Sequence, residues 1–207
     1  MDRLNRFARR IPTWPLYLGA LIPPAWYFYA GVSGQLGVDP VKAMEHKIGL
    51  LGLQVLIASL CISPLRRYAG LNLLKFRRAL GLIAFFYIVL HLLVWIALDV
   101  QIPSQIIADI YKRPYITIGM LGFVLMIPLA ATSYNAAIRK LGRNWRRLHW
   151  LVYPAVILGG VHFVMLRKGW QLEPMLYLGG IAVLLLLRLP SVARKRTRVA
   201  IPQQSRL

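Results

Sequence analysis

The sequence predicts an all-α integral membrane protein, a bundle of six transmembrane helices with both termini cytoplasmic. Two observations carry this. The 207-residue chain is 58% hydrophobic yet has a formal net charge of +20. A soluble protein this basic ordinarily binds nucleic acid, but a mean hydropathy of +0.57 does not belong to that class. The charge is also patterned. Of 26 Lys and Arg, 20 fall in the N-terminus, the 64–78 and 134–147 connections and the tail from Arg188, while the three intervening connections hold two each. That alternation is the positive-inside pattern. Five of the six acids, Asp39, Glu45, Asp99, Asp109 and Glu173, lie on the opposite side. Topology and anionic membrane lipids account for the charge, and no nucleic-acid partner is expected.

The apolar stretches run 15–32, 48–63, 79–98, 116–133, 148–166 and 175–189. Each is near the roughly 17–25 residues a bilayer core requires, the second and sixth a little short. The first follows the basic lead MDRLNRFARR like a signal peptide, but it lacks an A-x-A cleavage site and the six-span parity needs it retained. Trp14, Trp145, Trp150, Trp170 and the cluster WYFY at 26–29 fall near span ends as an aromatic belt. The second stretch holds Cys61, the single cysteine, which reads as a small apolar residue. The division is therefore a basic lead over 1–13, a membrane domain over 14–190 and a basic tail over 191–207 expected to be disordered. The connections are too short to fold alone and contain no Gly-rich phosphate fingerprint. The chemistry belongs inside the bilayer or with a partner.

The third stretch carries His91, the fifth His149 and His162. With helix rise, His91 lies about 18 Å along its span and His162 about 21 Å along its own, both running outward. Two histidines on different helices thus share a level in the outer half of the membrane. The pair suggests the axial ligands of a haem held between helices, with Gly159 and Gly160 leaving room for a flat macrocycle. The competing reading is two imidazoles hydrogen-bonded in helix packing. A zinc site lacks a third ligand at that depth, and a proton relay lacks any Asp or Glu within a span.

His149 lies about 20 Å below His162 by helix rise, and about 140° from it around an ideal helix; Pro154 between them can rotate that phase. It offers a ligand to a second haem. At the same inner level Arg77 and Arg78 could clamp a haem propionate or a flavin phosphate. His46, at the outer mouth of the second span, reads as an interfacial residue or as part of a quinol pocket. Met44, Met120, Met126 and Met165 read as packing residues.

The stretches EHKIGLLGLQVLIASLCISPLRRYAG, RRALGLIAFFYIVLH, RPYITIGMLGFV and RKLGRNWRRLHWLVYPAVILGGVHF, together covering roughly 40–165, carry a resemblance. Six spans with His in the third and fifth resemble the ferric-reductase-like transmembrane domain of NADPH oxidases and ferric reductases. In order and spacing the stretches are similar to the MsrQ (YedZ) family of bacterial inner-membrane subunits. That resemblance implies a b-type haem, FMN, and electron flow from quinol to a periplasmic molybdenum-containing methionine sulfoxide reductase of MsrP type. Two-haem members of the wider superfamily carry a histidine fourteen residues before the third-helix ligand, where this chain has Arg77. The oxidases also continue into a flavin and nicotinamide domain. This chain stops about 18 residues after its last span, so the terminal acceptor is expected to be another protein. The alternatives are a ferric-reductase-type cytochrome b that reduces a small acceptor directly, and a cofactor-free membrane transporter or assembly factor.

Overall fold

The computed structural model describes residues 2–167 and 171–188, and all of its regular structure is helical. The basic tail, Lys168 and Trp170 lie outside the described residues. Helix α1 (Asp2–Arg10) is short and basic. Its Asn5 donates to the Gly70 carbonyl at 3.0 Å and accepts from the Asn72 N–H at 2.8 Å, which pins it to the connection at 69–73.

The first apolar stretch is two helices, α2 (Trp14–Gly19) and α3 (Ile22–Val32), with a break at Ala20 and Leu21. Proline supplies no N–H to the carbonyl four residues earlier, so Pro23 and Pro24 leave the carbonyls of Gly19 and Ala20 without helical partners. In an apolar surrounding a bare carbonyl is costly. The buried Tyr87 hydroxyl donates to Ala20 O at 2.9 Å and ties this segment to the third stretch.

Helix α4 (Pro40–Tyr68) starts two turns before its apolar stretch, because Asp39 caps it through the Lys42 N–H at 3.1 Å and Pro40 fits the first turn. It carries Pro64 in its interior. The carbonyl this proline frees is that of Leu60, and Arg188 takes it with Nη2 at 2.5 Å and Nε at 3.2 Å. Helix α5 (Leu74–Val94) runs into a π-helical turn, Trp95–Val100, that ends at Gln101 with φ of 60°.

The connections expected to be plain loops contain helices. They are α6 (Pro103–Lys112) on one side and, after α7 (Pro114–Ala131), α8 (Asn135–Leu141) and α9 (Arg143–Leu148) on the other. A 3₁₀ turn, His149–Leu151, leads into α10 (Val152–Leu166), and α11 (Leu172–Arg188) follows. Pro154 sits in the first turn of α10, a part of a helix that tolerates proline.

The architecture is two antiparallel pairs set side by side, α4 with α5 and α7 with α10, and α11 closes against α10 and α4. Leu53, Leu56 and Leu60 of α4, Ala84 of α5, Met126 of α7, Ala155, Val156 and Phe163 of α10, and Ile181 of α11 form the central core. The outer faces keep large apolar side chains exposed, among them Leu93, Leu121, Val124, Val183 and Leu186. Such a belt suits lipid rather than water. Among the described residues four helical segments are long and apolar enough to cross a membrane: Pro40–Tyr68, Leu74–Val100, Pro114–Ala131 and Arg143–Leu166. The first expected span is interrupted, and α11 has 17 residues, about 26 Å of helix.

The carbonyl freed by Pro24 predicts a coupled pair of effects. Tyr87→Phe strands the Ala20 carbonyl and lowers stability by about 1–3 kcal/mol, measured as thermal unfolding in detergent. In a Pro24→Ala background residue 24 supplies an N–H of its own, and the same Tyr87→Phe change costs measurably less. An equal cost in both backgrounds would disprove the argument.

Candidate functional site

A cavity of about 510 Å³ opens between the two helix pairs, at the end where α4 and α7 begin and α5 and α10 finish. Its floor is apolar, with Leu53, Leu56, Ile88, Phe123, Met126 and Ala155. Its mouth is charged, with Lys42, Glu45, Lys47, Asp99, Arg113 and Arg167.

His91 and His162 face each other across this cavity. Their ring centroids are 6.3 Å apart and their planes meet at 73°. The common level read from helix rise is the observed one. His91 Nδ1 lies 2.9 Å from the Glu45 carbonyl oxygen, and His162 Nδ1 lies 2.7 Å from the Tyr115 carbonyl oxygen. A carbonyl can only accept, so each Nδ1 carries the proton and each Nε2 keeps a free lone pair.

The two halves are built alike. Glu45 is followed four residues later by Gly49, and Tyr115 by Gly119. A Cβ on Gly49 would lie 2.9 Å from His91 Nδ1, and one on Gly119 would lie 2.8 Å from His162 Nδ1. Each imidazole thus lies on a glycine of the neighbouring helix. A turn deeper the pattern repeats, with Gly52 against Ile88 and Gly122 against Leu158. Near the mouth, the π-helical turn places both Trp95 and Asp99 in the cavity lining. Arg113 donates to the Tyr115 hydroxyl at 3.3 Å and pairs with Asp109 at 3.2 Å. These partners, the hydroxyl first, hold its guanidinium above its ordinary value.

Of the other expected residues, His46 and Gly159 line this cavity, while His149, Arg77, Arg78 and Gly160 do not. His149 stacks on Trp145 with centroids 3.8 Å apart, and its Nδ1 donates to the Trp145 carbonyl at 3.0 Å. Its Nε2 is 3.4 Å from Ser133 Oγ, but that hydroxyl gives its proton to Leu129 O at 2.6 Å. Among the described residues no second imidazole faces His149. Arg77 and Arg78 sit in the first turns of α5, and Arg78 donates to Asn135 Oδ1 at 2.6 Å. His46 lines the cavity mouth. Met165 is 43% exposed, on the outer surface of the bundle. Gly160 does not open the cavity: its Cβ position is 2.8 Å from Ile181, so its role is the close approach of α11. Only Gly159 of that pair lines the space. Among the described residues no three His, Cys, Asp or Glu gather as a metal cluster.

Residues 46–160 match the family model described as ferric reductase like transmembrane component. A protein of Brucella anthropi named protein-methionine-sulfoxide reductase heme-binding subunit MsrQ is 48% identical over 192 residues, 92% of this chain and 87% of that protein. Proteins of the same name from Brucella ovis and Brucella canis are 50% identical over 177 residues, 85% of this chain and 80% of theirs. The chain belongs to the MsrQ family. No solved structure matches. The family match contains His46, His91 and His149 and ends two residues before His162.

In this MsrQ-family chain the glycines were the residues the sequence reading missed, and a signal was present. Ile48–Gly52 reads IGLLG and Ile118–Gly122 reads IGMLG, each on the helix that receives a histidine. The geometry predicts that Gly119→Ala, or Gly49→Ala, displaces an imidazole ring that has no flexible end to yield. Overpacking of this kind costs about 1–3 kcal/mol, read as a lower melting temperature. Gly81→Ala, which meets open space, leaves the melting temperature the same or higher.

Proposed function

We propose that this chain is a membrane electron-transfer subunit that holds a b-type haem between His91 and His162. The observation that carries the reading is the disposition of the two imidazoles. A metal ion shared by two imidazoles at about 2.0–2.1 Å per nitrogen puts the ring centroids about 6 Å apart, and 6.3 Å is found. The donor set fits as well. Both rings spend Nδ1–H on a backbone carbonyl, the usual second interaction of a metal-bound histidine, which fixes tautomer and orientation and leaves Nε2 to coordinate. The bare α-carbons of Gly49 and Gly119 let the rings take those positions, and the apolar floor keeps water out. Bound haem supplies one-electron transfer at a potential set by its ligands, their hydrogen bonds and the surrounding polarity.

The relatives' name, heme-binding subunit of a protein-methionine-sulfoxide reductase, supports a role in repairing oxidised methionine through a partner enzyme. We extend the reading to a periplasmic molybdenum-containing partner of MsrP type and to quinol as donor. We also extend it to six spans in the bacterial inner membrane with both ends cytoplasmic. The alternation of Lys and Arg supports that orientation, in which the cavity mouth would face the periplasm. At the inner end Arg77, Arg78 and His149 are proposed for an anionic cofactor group such as the phosphate of FMN. One imidazole alone does not complete a second two-histidine iron site there.

The reading is tested by absorption spectra of the detergent-purified protein, oxidised and dithionite-reduced. The wild type is expected to show six-coordinate low-spin b-type haem. His91→Ala and His162→Ala should each lose the haem or turn it high-spin, while His149→Ala keeps the low-spin signal of the outer pair. A wild-type protein that stays colourless when haem is supplied would refute the proposal and return both histidines to helix packing.

A further inference from the structure

Four cations stand around the cavity mouth, and three of them are satisfied. Lys42 lies 4.0 Å from Asp99. Arg113 holds Asp109 and the Tyr115 hydroxyl. Lys47 lies over the Tyr27 ring, 5.8 Å from its centroid. Arg167 differs. Its Nε is buried and has no hydrogen-bond partner among the described residues. Glu45 and Glu173 also line the mouth, yet among the described residues neither forms an ion pair. A buried guanidinium N–H left bare carries the full desolvation cost of a charged donor, so its position implies an acceptor that arrives with a ligand.

The ligand can be specified by chemistry. Arg167 follows His162 by five residues and sits directly after the end of α10. It lines the same cavity as both imidazoles, on the charged side and away from the apolar floor. A group seated there must present an apolar body to Leu53, Phe123 and Met126 and an anion to Arg167. A porphyrin edged by two carboxylates has that form, and a guanidinium is built to receive a carboxylate in two parallel hydrogen bonds. We infer that Arg167 is a positioning residue for the haem, binding a propionate carboxylate through its buried Nε–H and turning the propionate edge toward the charged mouth. The inference rests on the proposed haem site. It adds which way round the macrocycle sits and which side chain decides it.

The test uses the full-length protein produced without haem and titrated with one of two probes, iron protoporphyrin IX or its dimethyl ester, which has no carboxylate charge. The variants are Arg167→Gln and Arg167→Lys. For the free acid, Arg167→Gln is expected to weaken binding about tenfold or more, the scale of losing a charge-assisted pair. It should also move the one-electron equilibrium toward oxidised iron, since a cation near the iron is lost. Arg167→Lys restores part of both effects. For the dimethyl ester, wild type and Arg167→Gln should bind alike. Equal weakening for acid and ester would show a merely structural role, and no weakening for either would remove Arg167 from the site; both outcomes overturn the inference. Tight wild-type binding of iron protoporphyrin in either case leaves the haem proposal standing. A wild type that binds neither probe fails at the haem site itself, and the inference falls with it.

Discussion

The Glu45 carbonyl oxygen has two lone pairs, and so has that of Tyr115. Within an α-helix a carbonyl takes the N–H of the residue four positions on. Those residues are Gly49 and Gly119, so one lone pair is engaged by a glycine and the other is free for an incoming imidazole. The ring can reach it only because the residue that would lie beneath it has no side chain. Tautomer, ring direction and the close approach of the two helices within each pair all follow from this arrangement, made once in each pair. The cavity lies between the two pairs, and a histidine held in this way by each pair lines it.

The same economy of backbone acceptors governs the rest of the bundle. Lipid offers no hydrogen bonds, so each carbonyl released by a proline needs a donor from the protein. Ala20 O, released by Pro24, receives the Tyr87 hydroxyl, and Leu60 O, released by Pro64, receives Arg188. These two bonds attach the first and last apolar segments to the central pairs. Pro24 and Pro64, which look like interruptions in a hydropathy profile, therefore mark where tertiary contacts are made.

What the sequence disclosed follows from what its patterns measure. Hydropathy and helix rise depend on one helix at a time, so the apolar segments and the shared level of His91 and His162 were legible. Ring orientation depends on a glycine about forty positions away from each histidine, and a reading that looked for room beside His162 settled on Gly159 and Gly160, of which Gly160 serves α11. The repeated IGLLG and IGMLG held the answer, but only to a comparison of the chain with itself. The helices in the connections, α6, α8 and α9, were missed because six to ten residues are too few for an apolar stripe to stand out against the charged residues around them. The 3₁₀ turn at His149 was hidden because three residues carry no periodicity of their own.

Because both acceptors are main-chain atoms, the site has an uneven genetic exposure. No missense change at Glu45 or Tyr115 can delete the group that orients a histidine; it can only alter what hangs beside it. At Gly49 and Gly119 every missense change adds a β-carbon where a ring already lies. The information that aims the imidazoles is thus stored as two missing side chains, and tolerance to inherited variation should be lowest at the least conspicuous residues of the site.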